Sequence, residues 1–372
     1  MNDLLPRPAQ PLREPLPGNP FPGIPALERR TGIAITARLS ANEALPLYSE
    51  QLTERYGQAL LEQARCYPDP AAFELRQALA ARHGVAADNV LVDAGADALI
   101  FLFLRAFSDP ASVVLHSAGS YPTVDYFARS LGLAPRPVPY RLDGNLAHAD
   151  LAALARQARL HRARVVYLAN PDNPTGSEHS AQAIEAFARA LPSGTLLILD
   201  EAYEAFGNAG SAQLLPNVVR LRSFSKAFGL AGARVGYALA PAPLLEVANL
   251  ARIHYGVGTL AQALAQDALR EDTHQRLMIA ATQALKARFV ELAQAAGLAY
   301  YPSATNFVAL LPGSLAQAQS LRDRLLAQGA SIYLGCINDQ VHLARISLQP
   351  ELFTPQVSDL LFGLAEETPD DQ

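Results

Sequence analysis

The residues best suited to do chemistry in this chain of 372 residues lie in 223-SFSKAFGLAGARVGY-237, where Lys226 stands between small hydroxyl residues and glycines. The segment follows the strand-like run 218-VVRLR-222 directly. A lysine in a strand-end loop that is partly desolvated and close to a second cation has its amine freed to form a Schiff base with an aldehyde. Arg234 and the hydroxyls of Ser223 and Ser225 are suited to holding a phosphate. A second segment, 195-TLLILDEAY-203, is an apolar run ending in two carboxylates, with a tyrosine two residues on. Asp200 can cap a helix that starts there. Alternatively, a carboxylate fixed at a strand end keeps a pyridine nitrogen protonated, which lets the ring accept electrons from a carbanion; Tyr203 can then donate to a phenolic oxygen. In 170-NPDNPTG-176 the proline steps force an extended, turned backbone that exposes a side-chain amide. In 93-DAGADALI-100, Gly95, Ala96 and Asp97 stand at an expected helix start, where free backbone N–H groups can bind a phosphate.

Each segment follows a short aliphatic run: 89-NVLV-92, 164-RVVYLA-169, 195-TLLIL-199 or 218-VVRLR-222. With 112-SVVL-115 and helical stretches such as 71-AAFELRQALAARHG-84, these runs predict an α/β domain with a mainly parallel sheet. Several are apolar throughout, as strands covered by helices on both faces must be. A ligand is then expected at their C-terminal ends. After 234-RVGYALA-240 comes Ala/Leu-rich helix from about 243 to 296, and residues 298 to 372 mix short strands such as 306-NFVAL-310 and 341-VHLARISL-348 with helices. That last region reads as a smaller α/β subdomain. The first 25 residues hold eight prolines, from Pro6 to Pro25, and read as an arm lying on a surface or reaching a partner subunit.

Half of the residues are hydrophobic, 17% are charged and the formal net charge is -5, with no basic footprint for nucleic acid or anionic membrane. No apolar run reaches the length of a membrane span. Cys66 and Cys336 allow at most one disulfide, and the N-terminus lacks the pattern of a secretory signal, so a cytoplasmic protein is expected. The eight histidines show no metal-ligand spacing, and no metal site is assigned.

Taken in order, the four segments resemble the pyridoxal-phosphate (PLP) dependent aminotransferases of fold type I, classes I and II, and among them the histidinol-phosphate aminotransferase branch. The resemblance covers about residues 20 to 350. It implies a large domain with a mainly parallel sheet sandwiched by helices (45–255), a smaller domain (256–372, with its interdomain helix), and an N-terminal arm that contributes to the small domain (1–44). It further implies that Lys226 carries the cofactor, that Asp200 pairs with the pyridine nitrogen, and that Asn173 and Tyr203 contact the ring's hydroxyl oxygen. Gly95, Ala96, Asp97, Ser223, Ser225 and Arg234 surround the phosphate, and Tyr121 in 119-GSYPT-123 stacks on the ring. Tyr67 in 66-CYPDP-70 resembles the tyrosine that reaches the phosphate of a neighbouring subunit's cofactor, which implies a homodimer with shared sites. Arg345 in 343-LARIS-347 resembles the arginine that grips a substrate carboxylate, and Asn42 in 40-SANEA-44 matches a substrate-facing segment.

The match departs on the substrate side. Tyr333 stands where the branch has an arginine that binds the substrate phosphate, with Arg322 and Arg324 as the nearest substitutes. The proline and glycine that follow the Asn-Glu pair in the family are absent from 42-NEALP-46, Gly256 and Gly258 replace asparagines, and Gln349 replaces a glycine. The expected activity is therefore amino transfer between an amino acid or related amine and a 2-oxo acid. The competing enzyme is a decarboxylase of the threonine-phosphate type, because cofactor residues alone do not choose which bond breaks. A ligand-sensing regulator is the non-enzyme alternative, but the proline-rich start leaves no room for a DNA-binding helix pair.

Overall fold

The computed structural model describes residues 24–40, 42, 43, 45, 50, 54, 68–208 and 213–363. Tyr67, Cys66 and most of the proline-rich arm lie outside them. Seven strands form the main sheet: β1 (Val90–Asp93), β2 (Val113–Ser117), β3 (Ala134–Val138), β4 (Val165–Ala169), β5 (Leu196–Asp200), β6 (Val218–Ser223) and β7 (Gly236–Leu239). Their spatial order is β1-β7-β6-β5-β4-β2-β3. Only β7 runs antiparallel to its neighbours.

Alternation along the buried strands feeds two cores. Tyr167, Ile198 and Leu221 pack with Leu99, Phe103 and Val124 from helices Ala96–Phe107 and Thr123–Ser130. Val166, Leu168, Leu197 and Leu199 pack on the other face, against Leu154, Ala158, Ile184 and Phe187 from helices Leu151–His161 and Ala181–Ala190. Both faces are thus closed to water, which is why β4 and β5 are buried along their whole length. β3 carries Pro135 and Pro137, residues that cannot donate to a ladder, and it occupies the sheet edge where one side needs no donors.

A second, antiparallel sheet contains β8 (Tyr300–Tyr301), β9 (Phe307–Leu310), β10 (Tyr333–Ile337) and β11 (Val341–Ser347), in the order β8-β9-β11-β10. Its core joins Val308, Leu310 and Ile346 to Phe289 and Ala293 of the long helix Asp272–Ala295 and to Leu321 and Leu325 of helix Leu315–Ala327. The stretch expected as one helical region from about 243 is three helices, Ala242–Ala251, Thr259–Arg270 and Asp272–Ala295. Ala37–Arg38 pairs in parallel with Ala330–Ser331 as a separate two-stranded sheet, and Ala37 and Leu39 join this core, so the segment leading to Asn42 packs against the second sheet. Among the described residues no helix is long and apolar enough to cross a membrane.

Candidate active site

The C-terminal edge of the main sheet gathers the four sequence segments. β1 leads to Gly95 and the start of helix Ala96–Phe107, β4 to Asn170–Gly176, β5 to Asp200–Tyr203, and β6 to Ser223–Lys226. Because β7 is antiparallel, its first residue lies opposite Asp93 and Ser223, and Arg234 arrives at the same edge. Together they wall a cavity of 390 Å³ that also takes in Asn42, Tyr121 and Arg345.

Arg234 has φ 54° and donates from Nη1 to Ser225 Oγ at 3.4 Å. The Ser223 hydroxyl accepts from the Ser225 amide at 3.0 Å. A Cβ on Gly95 would sit 2.5 Å from Arg234 Nη2, so glycine alone lets the guanidinium lie over the helix start. Asp97, in the first helical turn, accepts the Tyr121 hydroxyl at 2.9 Å. That bond consumes the phenol's proton and leaves the ring as an apolar wall.

Asp200 accepts from the Tyr167 hydroxyl at 2.8 Å and from the Ala202 amide at 3.0 Å. The second bond is the capping contact, although a 3₁₀ turn, Glu204–Phe206, stands where an α-helix was the alternative expectation. Burial raises the Asp200 carboxyl to about 6, with the Tyr167 bond acting against the rise. Among the described residues no basic side chain pairs with it.

Lys226 Nζ donates to the Asn42 carbonyl at 2.9 Å and lies 5.6 Å from the centre of the Tyr203 ring. Asn42 in turn donates from Nδ2 to Tyr203 Oη at 3.1 Å. Its amide donates to Ser347 Oγ at 2.8 Å, and the Ser347 hydroxyl donates back to Asn42 Oδ1. Gln349, one of the departures from the family, donates to the Glu43 carbonyl at 2.7 Å, so it helps pin this segment. Gly256, another departure, faces Asp93: a Cβ there would stand 2.9 Å from Oδ1.

Arg345 is 3% exposed. It donates from Nη1 to Asn173 Oδ1 at 2.5 Å and from Nη2 to the Ser40 carbonyl at 2.8 Å. The Tyr333 and Phe307 rings lie 4.4 and 5.3 Å from the guanidinium carbon, and Nε is buried with no acceptor among the described residues. Burial lowers its pKa. Since a guanidinium only donates, the amide of Asn173 must turn its oxygen to Arg345 and its NH₂ away from it.

Every candidate named from sequence lines the cavity except Gly95, beneath Arg234, Tyr333, stacked on Arg345, and Tyr67, outside the described residues. Arg322 is bonded to Asp323 at 2.9 Å, and neither it nor Arg324 reaches the cavity. Sequence reasoning missed Tyr167, Ser40, Glu43, Pro171, Ala231 and Gly232 in the wall. Tyr167 alone had a usable signal, as a hydroxyl inside an otherwise aliphatic run.

The model of the family "Aminotransferase class I and II" matches residues 36–351. Histidinol-phosphate aminotransferase 2 of Carboxydothermus hydrogenoformans is 31% identical over 333 residues, covering 87% of this chain and 90% of the relative. The histidinol-phosphate aminotransferase of Anaeromyxobacter sp. is 35% identical over 324 residues, 84% of this chain and 86% of the relative. The crystal structure of the Sinorhizobium meliloti histidinol-phosphate aminotransferase with pyridoxal-5'-phosphate superposes with a TM-score of 0.88 at 34% identity, covering 98% of this chain and 97% of that one. With the match spanning both sheets and the whole cavity, the chain belongs to the class I and II aminotransferases and is a PLP-dependent transaminase.

Proposed function

We propose that Lys226 carries the cofactor, that Asp200 holds the proton of its pyridine nitrogen, and that Arg345 receives the carboxylate of an ordinary α-amino acid. The observation that carries this assignment is a buried carboxylate with no cation among the described residues and a lysine amine on the wall of one cavity. A protonated pyridine supplies the charge that Asp200 lacks, and when bound it draws off the electron pair left at the substrate's α-carbon. The residues present fit the rest of such a group. Glycine at 95 keeps room for Arg234 over the helix start, where the Ala96 and Asp97 amides and the Ser223 and Ser225 hydroxyls can meet a phosphate. Tyr121 forms the apolar wall beside the ring, and Asn173 and Tyr203 offer donors to its hydroxyl oxygen. With the cofactor and an amino substrate bound, Lys226 would be the base placed to take the α-proton.

Three cations line the cavity among the described residues: Lys226, Arg234 and Arg345. The first two serve the cofactor, leaving Arg345 for a single substrate anion, with Asn42 on the wall of the same cavity. Tyr333 covers the guanidinium face where the related branch has a second cation, which favours an amino acid with an aromatic or apolar side chain over histidinol phosphate. We assign residues 45–255 to the cofactor-holding unit and 1–44 with 256–372 to the unit that bears Arg345. A homodimer fits the exposed apolar side chains of Leu250 (89%), Ile253 (74%) and Tyr255 (55%), with Tyr67 the residue assigned to the neighbouring site; sedimentation of a monomer at micromolar concentration would refute it.

Borohydride reduction of the yellow enzyme tests the central assignment. The chain has only two lysines, Lys226 and Lys286, and the amine of Lys286 is bonded to the Ser303 carbonyl at 2.8 Å, away from the cavity. Peptide mapping is expected to find the pyridoxyl group on Lys226; finding it on Lys286 overturns the site.

A further inference from the structure

Tyr167 is the one polar side chain in β4, and at 1% exposure it keeps its hydroxyl out of water. The register shows where that hydroxyl must go. Tyr167 pairs with Ile198 and Ala169 with Asp200, so Tyr167 and Asp200 are diagonal neighbours on one face of the sheet, a separation that a tyrosine spans. The observed bond is 2.8 Å, from the phenol to Asp200 Oδ2. An aspartate carboxylate turns about its last torsion with little preference. Here two donors on different oxygens, the Tyr167 hydroxyl and the Ala202 amide, fix its plane. Among the described residues no third donor reaches it, so the remaining lone pairs are left to the cavity.

The hydroxyl also has an electronic effect. A proton shared by a carboxylate and a pyridine nitrogen favours the stronger base, and donation from a phenol weakens the carboxylate. Burial pushes the Asp200 carboxyl up to about 6, and the Tyr167 bond is the largest influence drawing it down.

We propose that Tyr167 is a positioning residue for amino transfer, acting through its hydroxyl to fix the Asp200 carboxylate and keep the shared proton on the cofactor's ring nitrogen. This rests on the assignment of Asp200 to that nitrogen. The test uses holoenzyme loaded with PLP labelled with ¹⁵N in the ring. Tyr167→Phe retains the ring and removes only the donor. Its ¹⁵N resonance is expected to move toward that of unprotonated pyridine, and kcat to fall about ten- to 150-fold, the worth of one hydrogen bond to a charged group. KM for the amino substrate should change less than about twofold, since no ground-state contact is lost. In an Asp200→Asn background the same substitution should alter neither resonance nor turnover. An unchanged resonance in folded Tyr167→Phe, or an equal loss of turnover with and without Asp200, overturns the proposal. If Asp200→Asn itself leaves the nitrogen protonated, the assignment of Asp200 fails first and the role of Tyr167 falls with it.

Discussion

Adjacent residues at the end of β5 both carry carboxylates, and the protein treats them in opposite ways. Glu201 accepts from Arg220 Nη1 and from Arg222 Nε, the latter at 2.9 Å, and Arg222 also pairs with Glu204 at 3.3 Å. Asp200, equally buried, meets no cation among the described residues. The arginines divide in the same way. Burial acts to lower the pKa of Arg222, but Glu201 and Glu204 outweigh it and raise it. Among the described residues Arg345 has only neutral acceptors, and burial lowers it. Buried charges that serve the fold arrive with partners, because leaving one unpaired is costly. Those at the cavity, in the assignment proposed above, meet charges that a ligand brings. Asp172 refines the rule. It too is buried without a cation and raised to about 6 by burial, yet it accepts from Tyr140, Ser120 and both the amide and hydroxyl of Thr175. It does not line the cavity. A missing cation is thus insufficient; unused acceptor capacity at the cavity wall is what marks Asp200.

The contrast breaks most visibly at Glu201. Glu201→Gln leaves Arg220 and Arg222 without a full counter-charge and should cost about 3–5 kcal/mol of stability, read as a lower urea midpoint of cofactor-free protein. Asp200→Asn should do the reverse to stability while cutting turnover sharply. The raised carboxyl holds its proton more tightly folded than unfolded, so the native state loses relative stability as pH climbs from about 4 through about 6. Above that window the penalty is complete. Cofactor-free Asp200→Asn should therefore exceed wild type by about 3 kcal/mol at pH 8 and by about half that near pH 5. Turnover of the loaded variant should drop on the order of 10²- to 10³-fold. Loss of stability at pH 8 would show that Asp200 serves the fold as Glu201 does.

How much of this was legible in sequence follows from which contacts are local. Lys226, Asp200, Asn173 and Gly95 each stand within four residues of the end of a strand-like run, so the parallel sheet and the site at its C-terminal edge could be read together. The bond from Tyr167 to Asp200 depends on strand register, and that is set by pairing between segments rather than within them. The Ala37–Arg38 strand escaped for a similar reason: two residues carry no periodicity, and their partner is Ala330–Ser331, far along the chain. Prolines hid β3, which an edge position tolerates. The paired network of Glu201, Arg220 and Arg222 was invisible because the arginines alternate with aliphatic residues in β6 and look solvent-facing until the sheet is covered on both sides.

The smallest expected effect concerns Arg345, the cation without a carboxylate. Register sets Tyr333 directly across the ladder from it, and the ring rests 4.4 Å from the guanidinium carbon. The stack supports the cation without neutralising it, and in the assignment proposed above that charge meets a substrate carboxylate. An arginine at 333 would put a second guanidinium against the first, a repulsion relieved only when a dianion binds between them. Wild type is accordingly expected to give larger specificity constants for aromatic or apolar amino acids than for histidinol phosphate, which has no carboxylate. Tyr333→Arg should shift that ratio toward histidinol phosphate by about ten- to 150-fold, the equivalent of one charge-assisted hydrogen bond of about 1.5–3 kcal/mol. Steady-state kinetics on both substrate types decides the matter: a wild-type preference for histidinol phosphate would mean that the phosphate is held without a cation at 333, and that substrate would replace the amino acid in the assignment.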